Sequence, residues 1–398
     1  MQAVDPRNRI DCQRMAGKFR TGGPVSNLRS GVVMNTARFE NVMNRFRMCL
    51  VGVFAACCVA GALVPVAAIE ARAASGSDLQ PELRDLLSNA LKFSPSELTD
   101  LEQGKVVAHR LNATAEGEAG AAGATRINGR KEAFVDMYRD IVRFKRGQGI
   151  LAIGLFGDPP SVGDLATLPL DTQDVNLRNC RVGHCDIRLP ASAINRFQNE
   201  IDWTASDADA HAATLFKHIL ADNVRAYVSG GAGRITEYDD EKHPVRPVDD
   251  FSALLTGAPY VDELVPGLAA HLDGFSTNPL PGSEDLVYWS KEKWGDLDSF
   301  VTVTHVAIPQ PVRVGRVIAS RDVYSSRFLD ASLSVTIVSD AVSTPNAFYL
   351  VYVNRSRADA LKGKAADLRR SVVERRSKSG LEENLKLTKL KLEGLVGK

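Results

Sequence analysis

Between Asp285 and Asn354 the chain repeats short runs suited to a pleated surface, and a helical segment that closes the chain follows directly. The runs are DLVYWSK (285–291), SFVTVTHVAI (299–308), RVGRVIAS (313–320), FLDASLSVTIVS (328–339) and AFYLVYVN (347–354). Val, Ile, Thr, Tyr and Phe pack well on a half-buried pleat. The connections are short, so neighbouring runs are expected to pair antiparallel as a meander. In the second run Val301, Val303, His305 and Ala307 share one face, and Phe300, Thr302, Thr304, Val306 and Ile308 share the other. The last run is apolar on both faces, which requires a cover on each. The expected cover is the C-terminal segment, where Leu361, Leu368 and Val372 recur at helical spacing among Lys and Arg. After Gly380 the pattern resumes with Leu381, Leu385, Leu392 and Leu395, and residues 379–398 read as a charged helical tail.

Residues 1–73 read as a leader outside the folded protein. CLVGVFAACCVAGALVPVAA (49–68) is uncharged and apolar, is preceded by Arg45 and Arg47, and is followed by Ala71-Arg72-Ala73. Basic, apolar, then small-x-small is the pattern of a secretory signal. The alternatives are an uncleaved anchor, since the run is long enough to span a bilayer, and a lipoprotein acylated at Cys57 or Cys58. A basic region of 48 residues is unusual; Met43 begins a more ordinary leader, MNRFRMCLVG. The leader holds ten of the 49 Lys and Arg and four of the 48 Asp and Glu, which leaves 39 against 44, a net of −5. That balance argues against a general nucleic-acid or anionic-membrane binder. Apart from residues 49–68, no membrane association is expected. Export to the periplasm or the extracellular space is.

The rest of the chain reads as α+β. Residues 74–104 form an N-terminal helical segment, with PELRDLLSNALKF and then SPSELTDLEQG capped at Ser94 or Ser96. KVVAHRLNA (105–113) is a strand, a Gly/Ala-rich stretch ending in ATRING follows, and RKEAFVDMYRDIVRF (130–144) is a helix by the spacing of Phe134, Met137, Tyr138, Ile141 and Val142. ILAIGLF (150–156) is a strand. Residues 105–189 are taken as the first part of the α+β domain. Residues 190–283 are taken as a central helical insertion, with its clearest helix over 207–227, and residues 284–378 as the meander with its helix. A strand, a second extended piece and a helix carrying Phe-x-x-x-Tyr-x-Asp, with a meander and long helix at the other end, resemble the START-like, helix-grip superfamily over about 105–160 and 284–378. The resemblance implies an antiparallel sheet wrapped around a long C-terminal helix. The chain also resembles exported bacterial proteins of unknown function that carry an N-C-R-V-G-H-C-D-like stretch.

That stretch, NCRVGHCDIRL (179–189), holds Cys180 and Cys185, the two cysteines that remain once the leader is removed. In an exported protein the expected state is a disulfide; a redox-active pair and a metal site are the alternatives. Haem needs C-x-x-C-H, which is absent, and zinc needs ligands this neighbourhood lacks. No metal and no cofactor is expected. EYDDEKH (237–243) reads as a solvated acidic loop, and GGAG (230–233) follows a helix and lacks dinucleotide spacing. Ser290-x-x-Lys293 matches a serine-nucleophile pattern by letters only. His305, in an apolar strand, is the best single catalytic candidate, although a hydrogen-bonded core histidine is the bland alternative. Tyr288, Trp289, Lys291, His305, Tyr324 and Arg327 are expected to line one ligand site. Three readings follow: a non-enzymatic protein holding an apolar small molecule or lipid between sheet and terminal helix, a hydrolase- or lyase-type enzyme using His305 with Tyr288 or Tyr324, and an envelope interaction protein. Of the three, the first is preferred.

Overall fold

The computed structural model describes residues 77–394 apart from 148, 172, 173, 175, 176, 364 and 365. The leader with its apolar run 49–68 lies outside the described residues. The strands are β1 (Val107–Leu111), β2 (Glu118–Asn128), β3 (Ile150–Leu155), β4 (Glu284–Glu292), β5 (Phe300–Ile308), β6 (Arg316–Ser325), β7 (Ala331–Asp340) and β8 (Ala347–Arg357). They form one antiparallel sheet in the order β1-β2-β8-β7-β6-β5-β4-β3. The sheet is open, with β1 and β3 at its edges.

The expected α+β class and the β4–β8 meander are present. Strand β2 is made of EAGAAGATRIN, and all but its last residue and Arg126 are buried. Its packing comes from backbone and methyl groups: Gly123 lies opposite Tyr352 on β8, and a Cβ there would stand 2.8 Å from a δ-carbon of Leu385 and 3.0 Å from one of Leu381. Strand β6 runs to Ser325, five residues past the expected end at 320, and is bulged where it meets Val303 and Thr304.

Helices cover both faces. On one face lie α1 (Pro81–Asp85), α2 (Pro95–Glu102), α5 (Ala191–Glu200), α6 (Ala208–Gly230), α7 (Pro247–Thr256), α8 (Tyr260–Leu264) and α9 (Leu268–Gly274). Their side chains join Trp289, Val301, Val303, Val317, Val335, Ile337 and Val351 in two apolar clusters. Of the two expected caps, Ser94 starts α2, in a capping box with Glu97. On the other face lie α3 (Lys131–Arg139), α4 (Ile141–Phe144) and the terminal helix α10 (Ala366–Leu392). Phe134, Tyr138, Ile141, Leu381 and Leu385 pack there with Val306, Ile308, Ile318, Val338, Phe348 and Leu350.

Two boundaries move. Helix α10 is continuous through Gly380, and its buried residues are Leu381 and Leu385 in the stretch read as a charged tail. Leu361 is buried, but in a short 3-10 turn (Asp359–Leu361) ahead of the helix rather than on it, whereas Leu368 is 62% exposed. The helix packs along β1 and β2. The inserted chain also begins earlier than residue 190: β3 and β4 are hydrogen-bonded neighbours, so all of 156–283 leaves and re-enters one hairpin position.

Candidate functional site

The six residues expected to form one site fall on two faces and belong to three separate groups. Trp289, Lys291, Tyr324 and Arg327 fasten the inserted chain to the sheet. The Trp289 indole N–H donates to the carbonyl of Asp164 (2.9 Å), Lys291 Nζ donates to Asp174 (2.5 Å), Tyr324 Oη donates to the carbonyl of Arg188 (3.0 Å), and Arg327 Nε donates to the carbonyl of Asp186 (3.2 Å). Asp174 is buried, which would raise its pKa, but hydrogen bonds from Lys291 and Ser299 lower it below the ordinary value.

The cysteine loop belongs to the same seam. Cys180 and Cys185 are bonded to each other, with Cα atoms 4.4 Å apart. The loop docks through the N–H groups of Gly183 and Cys185, which donate to the carbonyls of Asp239 (2.7 Å) and Asp240 (2.9 Å). The acidic stretch 237–243 is therefore not simply a solvated loop. Tyr238 and Asp240 are buried, and burial, opposed by Arg188, raises the Asp240 carboxyl to about 7.

His305 is fully buried on the face covered by the insertion. Its partners come from elements the sequence did not connect. The Tyr227 hydroxyl on α6 is hydrogen-bonded to His305 Nδ1 (2.8 Å). His305 Nε2 lies 3.0 Å from Asp285 Oδ1 at the start of β4, and His271 Nε2 on α9 lies 2.8 Å from the same oxygen. His271 Nδ1 faces the carbonyl of Asn278 at 2.9 Å. Phe275 packs edge-on to His305 with ring centroids 4.3 Å apart, and Arg321 is the cross-strand neighbour of His305. Gly231 makes this convergence possible. At φ 66° it ends α6 against α9, where a Cβ would stand 2.1 Å from the carbonyl oxygen of Gly274.

The electrostatics of this centre follow from burial and one shared carboxylate. Burial lowers the pKa of His305 despite the help of Asp285. Burial also works against charge on His271, but Asp285 and the Asn278 carbonyl outweigh it and raise its pKa. Burial alone would raise Asp285; the two imidazoles bring it down to about 2. Buried Arg321 has its pKa lowered by desolvation, donates to the carbonyl of Leu272 (3.0 Å), and lies over the ring of Phe251 (3.9 Å). The expected pairing of His305 with Tyr288 or Tyr324 is corrected. Tyr288 lies on the opposite face of the sheet, Tyr324 is bound to Arg188, and the hydroxyl at His305 is that of Tyr227.

Tyr288 belongs to a second polar set, on the face of α3, α4 and α10. In cross-strand register stand Tyr288, Thr304 and Asp322, and beside them Ser320, Ser334 and Asn354. Thr304 donates to Asp322 (2.9 Å). Ser290 shares a hydrogen bond with Thr302 (2.8 Å) and donates to Glu292 (2.7 Å). The hydroxyls of Ser334 and Tyr352 are 3.0 Å apart. Lys145, after α4, holds its Nζ 5.1 Å from the centre of the Tyr288 ring. Burial works against its charge, but Tyr288 and Glu292 more than offset this and raise its pKa. Burial raises Asp322 to about 7, with Glu292 adding to the rise and Thr304 and Lys145 opposing it. Yet Lys145, Glu292, Asp322, Ser334, Tyr352 and Asn354 all keep partial exposure. These polar side chains are thus walled by protein yet keep contact with solvent.

Lys145 follows the expected helix 130–144 and Asp322 lies past the expected strand end at 320, so neither stands in an element whose pattern points to it. No protein-family model matches the chain, and no curated protein matches it in sequence. Among the described residues, no helix is long and apolar enough to cross a membrane.

Proposed function

We propose that the chain is an exported, non-enzymatic binding protein that holds a small molecule against the α3–α4–α10 face of its sheet. The reading rests on the half-buried polar floor of Lys145, Asp322, Ser334, Tyr352 and Asn354 beside buried Tyr288 and Thr304. A structural core without a ligand role would fill such positions with apolar side chains. The apolar half of the same face is packed by Phe134, Tyr138, Leu381 and Leu385. The ligand class is therefore an apolar body with a hydroxyl-bearing or otherwise polar head, rather than a purely apolar lipid. The helix-grip resemblance is part of this reading. A helix pair between β2 and β3, five further antiparallel strands and a long helix after β8 support it. Export is supported by the bonded cysteine pair. A catalytic reading draws on the Tyr227–His305–Asp285–His271 chain, but that centre is on the opposite face of the sheet from the groove.

The test is native mass spectrometry of protein recovered from the cell envelope, before and after denaturation. The expected result is a chain beginning near Ala74 with a non-covalent adduct that denaturation releases. Ser334→Leu, which fills the groove floor, should remove the adduct from a folded protein. Adduct-free protein in every preparation, or an adduct unaffected by Ser334→Leu, would defeat the proposal.

A further inference from the structure

The His305 centre has a composition that the binding proposal does not use. His271, Asp285 and His305 each present one ligand atom, and the three atoms lie within 4.8 Å of one another. We infer that these three residues form a binding site for one divalent transition-metal ion of the zinc class, on the opposite face of the sheet from the polar groove.

Three features carry this. The first is the donor set. Two imidazole nitrogens and one carboxylate oxygen suit Zn²⁺ and its neighbours rather than Mg²⁺ or Ca²⁺, which favour oxygen ligands. Both histidines direct Nε2 at the same Asp285 oxygen, at 2.8 and 3.0 Å. An ion bound about 2.0–2.2 Å from each donor requires only a small opening of that cluster.

The second feature is the support behind each ring. A metal-bound imidazole carries its remaining proton on the other nitrogen and donates it to an oxygen. His271 Nδ1 faces the carbonyl of Asn278 at 2.9 Å, and His305 Nδ1 faces the hydroxyl of Tyr227 at 2.8 Å. The backbone N–H of Leu280, 3.2 Å from His271 Nδ1, is the one competing donor at that ring. The rings are further held by contacts of Phe275 with His305 and with His271.

The third feature is access. His271 and His305 are 3% and 0% exposed at the side chain, whereas Asp285 is 21% exposed, so the carboxylate edge opens toward solvent. Three protein ligands with a fourth position open to water are the arrangement of an accessible zinc site rather than a closed structural one. Arg321, buried and cross-strand from His305, opposes the ion, but its Nη1 is engaged by the carbonyl of Leu272 and by Asp273.

The test uses the mature chain, stripped with chelator, then titrated with Zn²⁺ by calorimetry and with Co²⁺ by visible spectroscopy. The expected result is one ion per chain and a Co²⁺ spectrum of mixed nitrogen and oxygen ligation. His271→Asn and Asp285→Asn should each abolish the Co²⁺ spectrum and weaken Zn²⁺ binding at least tenfold. Tyr227→Phe, which removes a support and no ligand, should weaken it about 10–100-fold or less while leaving the spectrum type unchanged. Circular dichroism of each metal-free variant separates a lost ligand from a lost fold, and Asp285→Asn, at the partly exposed position, is the variant read if His271→Asn unfolds. Absence of stoichiometric binding to the folded wild type, or wild-type affinity in folded Asp285→Asn, would overturn the assignment.

Discussion

Replacing Leu381 and Leu385 together by Ala should cost the fold far more than replacing Leu368, although all three are leucines of one helix. Leu381 and Leu385 are 8% and 3% exposed, whereas Leu368 is 62% exposed. The two buried leucines fill the space over Gly123, with δ-carbons 3.0 and 2.8 Å from where a Cβ would stand. Truncating a buried Leu to Ala costs roughly 2–5 kcal/mol, depending on how far the site can collapse. Helix α10 has solvent on its outer side and can settle inward, so about 2.5 kcal/mol per leucine, and about 5 kcal/mol for the pair, is the reasoned figure. A folded unit of roughly 320 residues at about 2.1 cal/mol/K each has an unfolding entropy of about 0.7 kcal/mol/K. The double variant should therefore melt about 7 °C lower, and Leu368→Ala within about 1 °C of wild type. Thermal unfolding followed by circular dichroism, with urea titration as the second probe, measures both. Equal shifts for the double variant and Leu368→Ala would refute the placement of the helix on β1 and β2.

Two other outcomes follow from the polar groups. Asp322 is raised to about 7 in the fold from about 3.9 unfolded, so the native state holds the proton more tightly and stability falls as pH rises across that interval. Asp322→Asn should therefore gain melting temperature relative to wild type from about pH 4 to pH 7, with no further gain above; a difference independent of pH would contradict it. The cysteine loop closes only six residues, for which the chain-entropy model gives about 2 kcal/mol, so Cys180→Ala with Cys185→Ala should lower the urea midpoint modestly and leave a folded protein. Failure to fold would mean that the loop's docking on Asp239 and Asp240 depends on the bond.

The meander was legible because its strands are rich in β-branched and aromatic residues, and that signal survives without knowledge of the partner strands. Strand β2 was legible only as an extended piece. EAGAAGATRIN has almost no large side chain, and at Gly123 it is buried by Leu381, Leu385 and Ala108 closing on bare backbone. The terminal helix is legible in the sequence but its buried face is not: a helix that packs on β1 and β2 needs only a narrow stripe, and exposed Leu368 fits the spacing as well as buried Leu381 and Leu385. His305 was legible as a buried histidine in an apolar strand. Its partners at 227, 271 and 285 were not, because no local pattern joins a residue ending one helix to residues on another helix and at a strand start. Arg321 lies past residue 320, where the strand composition ends, and the bulge of β6 has no signature in the sequence.

The hairpin position of the inserted chain has an entropic consequence. A tight turn between β3 and β4 would need about two residues; residues 156–283 stand there instead, roughly six doublings of loop length, at about 0.6 kcal/mol each. Pairing β3 with β4 thus carries about 4 kcal/mol more closure cost than an ordinary hairpin would. The strand has little of its own to offset it: β3 is an edge strand with Leu151 and Leu155 53% and 45% exposed. What offsets it is the ordering of the loop itself, through Trp289, Lys291 and Tyr324 on the sheet and the cluster of Phe197, Phe216 and Tyr227 above them. The edge of the sheet is therefore only as stable as the insertion that interrupts it, and the two form a single cooperative unit.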